Sequence, residues 1–272
     1  MNKDKGTFKD AKALEIALIA ARESSEVLRK LFRSDDSELG AWTKDDGGLV
    51  TDADIASDRV ITETLRVAEV TASIISEESS EYLEDSELTW LVDPLCGTVP
   101  FSTGLAHWGV SIALRQKNEL KIGVLTLPAQ QEQLTAVSGR GVTRNGKLWS
   151  ASAPIGKLAE VAIALEIDGG SEWKRLVAGK LDWISGVGQV NSFASAAFPL
   201  SQICLGRLAG GVFYNISPVH LAAGCIIAKE LGIIVTDNLG EYIRWDQNRA
   251  IPVVVVGWPE VHKQIMEIVN KA

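Results

Sequence analysis

The sequence predicts a layered α/β (α+β) protein, on three observations. Ala13, Ile16, Ala17, Ala20, Ala21, Ser24, Val27, Leu28 and Leu31 recur at three and four residues, the period of a helix with one buried face. Strand-like runs at Gly109–Arg115, Lys121–Leu127 and Gln133–Val137 are separated by turn signals, and Asn145-Gly146 makes a hairpin turn between Val142-Thr143 and Leu148-Trp149, so 109–150 reads as an antiparallel sheet. Beyond about Ser150, strand-like and helix-like segments alternate, which predicts a second layered half.

In chain order, Phe8–Phe32 reads as the first helix and Ser34–Gly48, polar and glycine-containing, as a loop. A second helix begins near Ala53 and carries Ile55, Val60, Ile61, Thr64, Leu65 and Ala68. Thr71–Ser76 is short, apolar and β-branched, hence a buried strand. Glu77–Glu87 is acidic, and Leu88–Val92 is a further strand closed by Asp93-Pro94. In the second half, Val161–Ile167 and Trp183–Val187 read as strands, and Ala194–Leu208 and Pro218–Leu231 as helices. Ile233–Thr236 and Pro252–Val256 read as strands, and Pro259–Asn270 as a closing helix with proline at its start. The expected division is 1–152 and 153–272, the second part completing a cleft in one compact unit.

Length and composition set the class. The chain has 272 residues, long for one compact domain and short for two independent ones. Lysine plus arginine is 27 against 35 acidic residues, a net charge of −8, with no basic block; a nucleic-acid partner is not expected. No apolar run reaches the ~18 residues of a membrane span, and Met1–Asp10 lacks the apolar stretch of a signal peptide. Cys96, Cys204 and Cys225 are odd in number and irregular in spacing, which is no disulfide framework. These features predict an acidic, cytoplasmic protein with neither membrane nor nucleic acid among its partners.

Three acidic pieces stand at the ends of these elements: Thr51-Asp52-Ala53-Asp54, Ser76-Glu77-Glu78-Ser79, and Asp93-Pro94-Leu95-Cys96-Gly97-Thr98. Carboxylates at strand ends are held by a rigid sheet yet reach solvent, which suits hard cations that bridge to phosphate oxygens. Gly97-Thr98 adds backbone N–H groups free to face an anion. Each piece has a plainer reading: Asp52 or Asp54 as a helix cap, Glu77 and Glu78 as a solvated face, Asp93-Pro94 as a turn opener. Their order and context favour the chemical one.

That arrangement resembles the inositol monophosphatase-like, lithium-sensitive, magnesium-dependent phosphatases. Their TxAD, SEE and WxxDPxDGTxxF elements read here as Thr51–Asp54, Ser76-Glu77-Glu78 and Trp90–Phe101. The likeness continues through His107–Leu114, Gly123-Val124, Pro128, Gly139–Val142 and Asn145-Gly146, and more weakly at Ala194–Ala197 and Pro218–Gly224. The resemblance implies the α/β/α/β/α sandwich of the inositol monophosphatase and fructose bisphosphatase type. It implies metal-assisted hydrolysis of a small phosphate monoester, of sugar or inositol phosphate type, and a homodimer. Carried onto this chain, Glu77, Asp93 and the carbonyl of Leu95 would hold the first metal, magnesium. Asp54 and Thr98, with Glu77, would be the catalytic set, Asp54 and Thr98 orienting the attacking water. The Gly97 and Thr98 amides would hold the phosphate, and Ala194, Ser195 and Asn215, the last in a loop from Phe213 to Pro218, would meet the substrate.

Two departures fall on the chemistry. Cys96 and His220 stand where the resemblance expects aspartates that hold a second metal bridged by Asp93. Taken alone, Cys96 reads as a small buried hydrophobe and His220 as a polar residue at a helix start. Magnesium prefers oxygen, so the second site should be weakened, whereas Asp93, Cys96 and His220 as an O/S/N set would suit zinc or manganese. Three outcomes follow: impaired hydrolysis, an inactive pseudo-phosphatase acting as a ligand-binding or regulatory protein, or a changed metal. Elsewhere, His107 reads as a packing residue, His262 as a surface residue, and Cys204 and Cys225 as inert buried thiols.

Overall fold

The computed structural model describes residues 3–33, 39–44, 47–67, 70–83, 86–168, 175 and 178–269, with backbone alone for 3–9. Parts of the expected 34–48 loop, the acidic 77–87 stretch and the ends of two helices (Ala68 and Asn270) lie outside the described residues.

Helix α1 (Lys3–Leu31) presents the expected apolar stripe, and Ala13, Ala17, Ala20, Ala21 and Leu28 are buried. A short hairpin, β1 (Ala41–Thr43) and β2 (Leu49–Thr51), leads into α2 (Asp52–Arg66). Strands β3 (Ser73–Ser76), β4 (Ser80–Glu81) and β5 (Leu88–Cys96) follow, then the five-residue helix α3 (Thr98–Ser102). Strands β6 (Gly109–Gln116), β7 (Glu119–Leu127), β8 (Glu132–Val137), β9 (Val142–Arg144) and β10 (Lys147–Trp149) form an antiparallel meander. Asn145 and Gly146 both take positive φ, 48° and 76°, as a two-residue primed turn requires. The resulting eight-stranded sheet has the order β10-β9-β8-β7-β6-β5-β3-β4.

The second half supplies β11 (Ala162–Ile167), β12 (Gln189–Asn191), α4 (Ala197–Cys204), β13 (Gly210–Ile216), α5 (Pro218–Glu230), β14 (Ile234–Thr236), β15 (Ile251–Gly257) and α6 (Pro259–Val269). Its five strands run in the order β12-β11-β13-β15-β14. Helices α1 and α2 cover one face of the larger sheet, α4 and α5 fill the space between the two sheets, and α6 covers the far face of the smaller one. The layers are therefore α/β/α/β/α. Apolar side chains on both faces of each sheet explain why α5 is buried almost all round, where a surface helix would show a stripe.

Four expectations are corrected. Strand β5 does not close at Asp93-Pro94; it continues to Cys96, and its register against β6 shifts between Asp93 and Cys96, where the missing N–H of Pro94 is tolerated. Trp183–Val187 is a 3-10 turn, Asp182–Gly186, and the neighbouring strand is β12. Phe213–Pro218 is not a loop: Phe213 to Ile216 belong to β13, which pairs with β11 on one side and β15 on the other. His262 is buried, and its Nε2 lies 2.9 Å from Thr236 Oγ1, pinning α6 to β14.

Candidate metal and phosphate site

The site begins at the capped start of α2. Thr51 is the N-cap; its hydroxyl accepts from the Ala53 amide, and the Asp54 carboxylate accepts from the Thr51 amide at 2.8 Å. This capping box seats Asp54, which is almost wholly buried. The cap of the helix is thus Thr51 and not Asp54, which completes the capping box from the third helical position, and its other oxygen, Oδ1, accepts from Thr98 Oγ1 at 2.8 Å. Asp52 instead accepts from the Gly40 amide at 3.0 Å.

Strand β5 delivers Asp93, fully buried, with Oδ1 accepting from the Leu95 amide at 3.1 Å. Ser57 donates to the Pro94 carbonyl at 2.7 Å, and so ties the turn to α2. Gly97 follows at φ 106°; a Cβ there would meet the His107 carbonyl at 2.8 Å, so this turn demands glycine. From the neighbouring end of β3 come Glu77 and Glu78, and Asp58 accepts from the Ser76 and Ser79 hydroxyls on either side of them. Lys44 reaches in from beside the β1–β2 hairpin, its Nζ 3.2 Å from Glu77 and 2.5 Å from Glu78.

Helix α5 brings His220 to Asp93: Nδ1 lies 2.5 Å from Asp93 Oδ2 and 3.9 Å from Glu77 Oε2. Cys96 Sγ accepts from the Ala196 and Ala197 amides, each at 3.2 Å, where α4 begins. The ligand atoms of Asp93, Cys96 and His220 all lie within 4.8 Å of one another. Burial lowers the basicity of His220, but Asp93, Cys96 and Glu77 outweigh it and hold the imidazole well above its ordinary value. Burial, then Asp93, pushes the Cys96 thiol up to about 12, so it stays protonated. Burial and the Asp93 charge push Glu77 up to about 7. Burial also raises Asp54 against its hydrogen bonds from Thr51 and Thr98.

Asp54, Glu77, Asp93, Leu95, Cys96, Gly97, Thr98 and His220 thus converge, and Ser195 joins them by donating to the Cys96 carbonyl at 3.0 Å. Ala194 is exposed beside Ser195. Asn215 is placed apart: its Nδ2 donates to the Asp168 carbonyl at 3.3 Å. Reasoning from sequence missed Lys44, hidden in a polar loop without periodicity, and Glu166. The signal for Glu166 was a lone carboxylate inside the apolar run Ala162–Ile167. His107 packs against Phe193 and Phe198, with ring centroids 5.4 and 4.6 Å away, as a packing residue should.

The chemistry of the donors separates two metal positions. Glu77, Asp93 and the Leu95 carbonyl are hard oxygen donors and fit magnesium. Asp93, Cys96 and His220 do not: a neutral thiol and an imidazole are poor magnesium ligands, and the imidazole is hydrogen-bonded to Asp93 Oδ2.

Layer order and carboxylate cluster together define an α+β protein of the five-layered sandwich class. A model of the inositol monophosphatase family matches residues 9–272, and the chain belongs to that family. It is 32% identical over 232 residues to the Nus factor SuhB of Escherichia coli K12, covering 84% of this chain and 85% of that protein. Its fold superposes on an inositol monophosphatase of Thermotoga maritima with a TM-score of 0.79 at 25% identity, covering 95% and 97% of the two chains. It superposes on the extragenic suppressor protein suhB of Bartonella henselae with a TM-score of 0.85 at 24% identity, covering 96% and 99%. The family is metal-dependent, typically on magnesium. No described helix is long and apolar enough to cross a membrane.

Proposed function

We propose that this protein binds a small phosphate monoester, of sugar or inositol phosphate type, at the Asp93–Thr98 turn, and that magnesium-dependent hydrolysis there is impaired at the second metal position. One observation carries the reading: His220 Nδ1 sits 2.5 Å from Asp93 Oδ2, so where a second carboxylate would supply a hard oxygen to a cation beside Asp93, an imidazole occupies the Asp93 carboxylate instead. Glu77, Asp93 and the Leu95 carbonyl would hold the remaining magnesium, which when bound neutralises phosphoryl oxygens and acidifies its water. Asp54 and Thr98, already hydrogen-bonded to each other, orient the attacking water. The Gly97 and Thr98 amides hold the phosphate, and Ala194 and Ser195 face the remainder of the substrate; Asn215, bonded to the Asp168 carbonyl, takes no part in this reading. Loss of the second position removes electrostatic stabilisation on the leaving-group side, which costs about a hundredfold in rate.

A second reading has its own support. The O/S/N set of Asp93, Cys96 and His220 has the donor types of a zinc site, with manganese the less suited alternative because it prefers oxygen. A third is a non-catalytic role in which the fold and pocket persist without turnover; relatives bear the name Nus factor SuhB, and a Nus-factor-type role is the form it would take.

Phosphate release from a panel of sugar and nucleotide monophosphates tests these together. Wild type and the Cys96→Asp/His220→Asp variant are compared with magnesium, manganese and zinc. The variant is expected to exceed wild type about a hundredfold in magnesium. Equal rates in magnesium would overturn the reading. Wild-type turnover confined to zinc or manganese would select the changed metal, and turnover by the variant alone would select the non-catalytic role.

A further inference from the structure

Glu166 is a buried carboxylate that the site chemistry leaves unused. It lies on β11, is only 4% exposed, and points its carboxylate at the segment that leads into α4. The Phe193 amide donates to Oε1 at 2.7 Å and the Ser192 hydroxyl lies 3.4 Å from Oε2, while the following amides, of Ala194 and Ser195, are near enough to favour the charged carboxylate. Successive backbone amides converging on one anion form a nest, here filled by the protein's own side chain. Ala194 takes a left-handed φ of 52°, a conformation that a residue with a Cβ adopts only against steric cost. Nothing in the Ala194 side chain favours that conformation; it is what turns consecutive amides toward Glu166.

The segment so held is the one that touches the turn. Ser195 Oγ donates to the Cys96 carbonyl, and the Ala196 and Ala197 amides donate to Cys96 Sγ. A Cβ on Gly97 would sit 3.0 Å from Ser195 Cβ, so the two segments are in direct apposition. We propose that Glu166 is a positioning residue, a latch that seats residues 192–195 and through them fixes the Cys96-Gly97 turn. It acts from the smaller sheet on a turn carried by the larger one. Its importance for phosphate binding rests on the functional reading above; its hold on the Cys96 turn does not.

The cysteines report on the latch without any activity assay. Cys96, Cys204 and Cys225 are all buried, so each reacts with iodoacetamide only through opening of its surroundings. Labelling rates are read site by site by peptide mass spectrometry. Glu166→Ala is expected to speed Cys96 labelling about tenfold or more and to leave Cys204 and Cys225 at wild-type rates. An unchanged Cys96 rate overturns the proposal, and so does a common acceleration of all three, which is general loosening. If Glu166→Ala does not fold, Glu166→Gln carries the same test, because its carbonyl oxygen still accepts from the amides; a rise of about threefold confined to Cys96 is then expected, and none overturns the proposal. Inorganic phosphate binding, measured separately by calorimetry with magnesium, tests the pocket, so its failure removes the functional reading while the labelling result judges the latch.

Discussion

His220 Nδ1 and Asp93 Oδ2 stand 2.5 Å apart, joining the central helix layer to the strand that ends at the Cys96-Gly97 turn. Asp93 is fully buried, and its other oxygen is taken by the Leu95 amide. The pair therefore compensates a carboxylate that could not otherwise stay in the interior.

Truncating His220 leaves that carboxylate without its partner. His220→Ala is expected to destabilise the metal-free protein by about 3 kcal/mol, and magnesium should restore more stability to the variant than to wild type. Thermal unfolding with and without magnesium checks this. Equal magnesium shifts in both proteins would show that His220 does not obstruct a cation.

Thr51 carries a cap and a catalytic candidate at once. Thr51→Ala removes the acceptor for the Ala53 amide and the hydroxyl that meets Asp54. The expected loss is about 1–2 kcal/mol in urea unfolding. Thr51→Ser keeps the oxygen and should recover most of it.

Glu166 sets a pH dependence. Burial pushes its carboxyl from 4.5 to about 7 in the folded chain. The folded state then holds the proton more tightly than the unfolded one. The resulting stability is complete below about pH 4.5 and is lost as pH rises through 7. Glu77 moves upward in the same window, so the comparison must be with Glu166→Gln, which lacks the titration at this site alone. Wild type should gain on the variant by up to about 3 kcal/mol as pH falls across that range. A gap that is constant with pH would assign Glu166 an ordinary carboxyl.

Gly123 lies where α5 packs closely against β7. A Cβ there would lie 2.4 Å from Ile226 Cγ2 and 2.7 Å from the Ala223 carbonyl. Gly123→Ala must push α5 off β7, at an expected cost of about 1–3 kcal/mol. Chemical denaturation measures it, and a neutral result would mean that α5 shifts freely.

The sequence determined by itself whatever depends on neighbours along the chain. The stripe of α1, the Asn145-Gly146 hairpin, the proline at the start of α6 and the strand–turn spacing from 109 to 150 are local patterns, and the structure repeats them. The three acidic pieces were legible too, because each sits at the end of an element whose period could be read. The tertiary structure alone decided the rest. Phe213–Pro218 reads in sequence as a loop, yet β11 and β15 on either side satisfy the backbone of β13 and make it a central strand. His262 carried no local sign that Thr236 would bury it. Lys44 meets Glu77 and Glu78, Glu166 meets the 193–195 amides, and His220 meets Asp93 only because the layers stack. A hydrogen bond between residues distant in the chain leaves no period in the sequence; it exists once burial has removed water as the alternative partner.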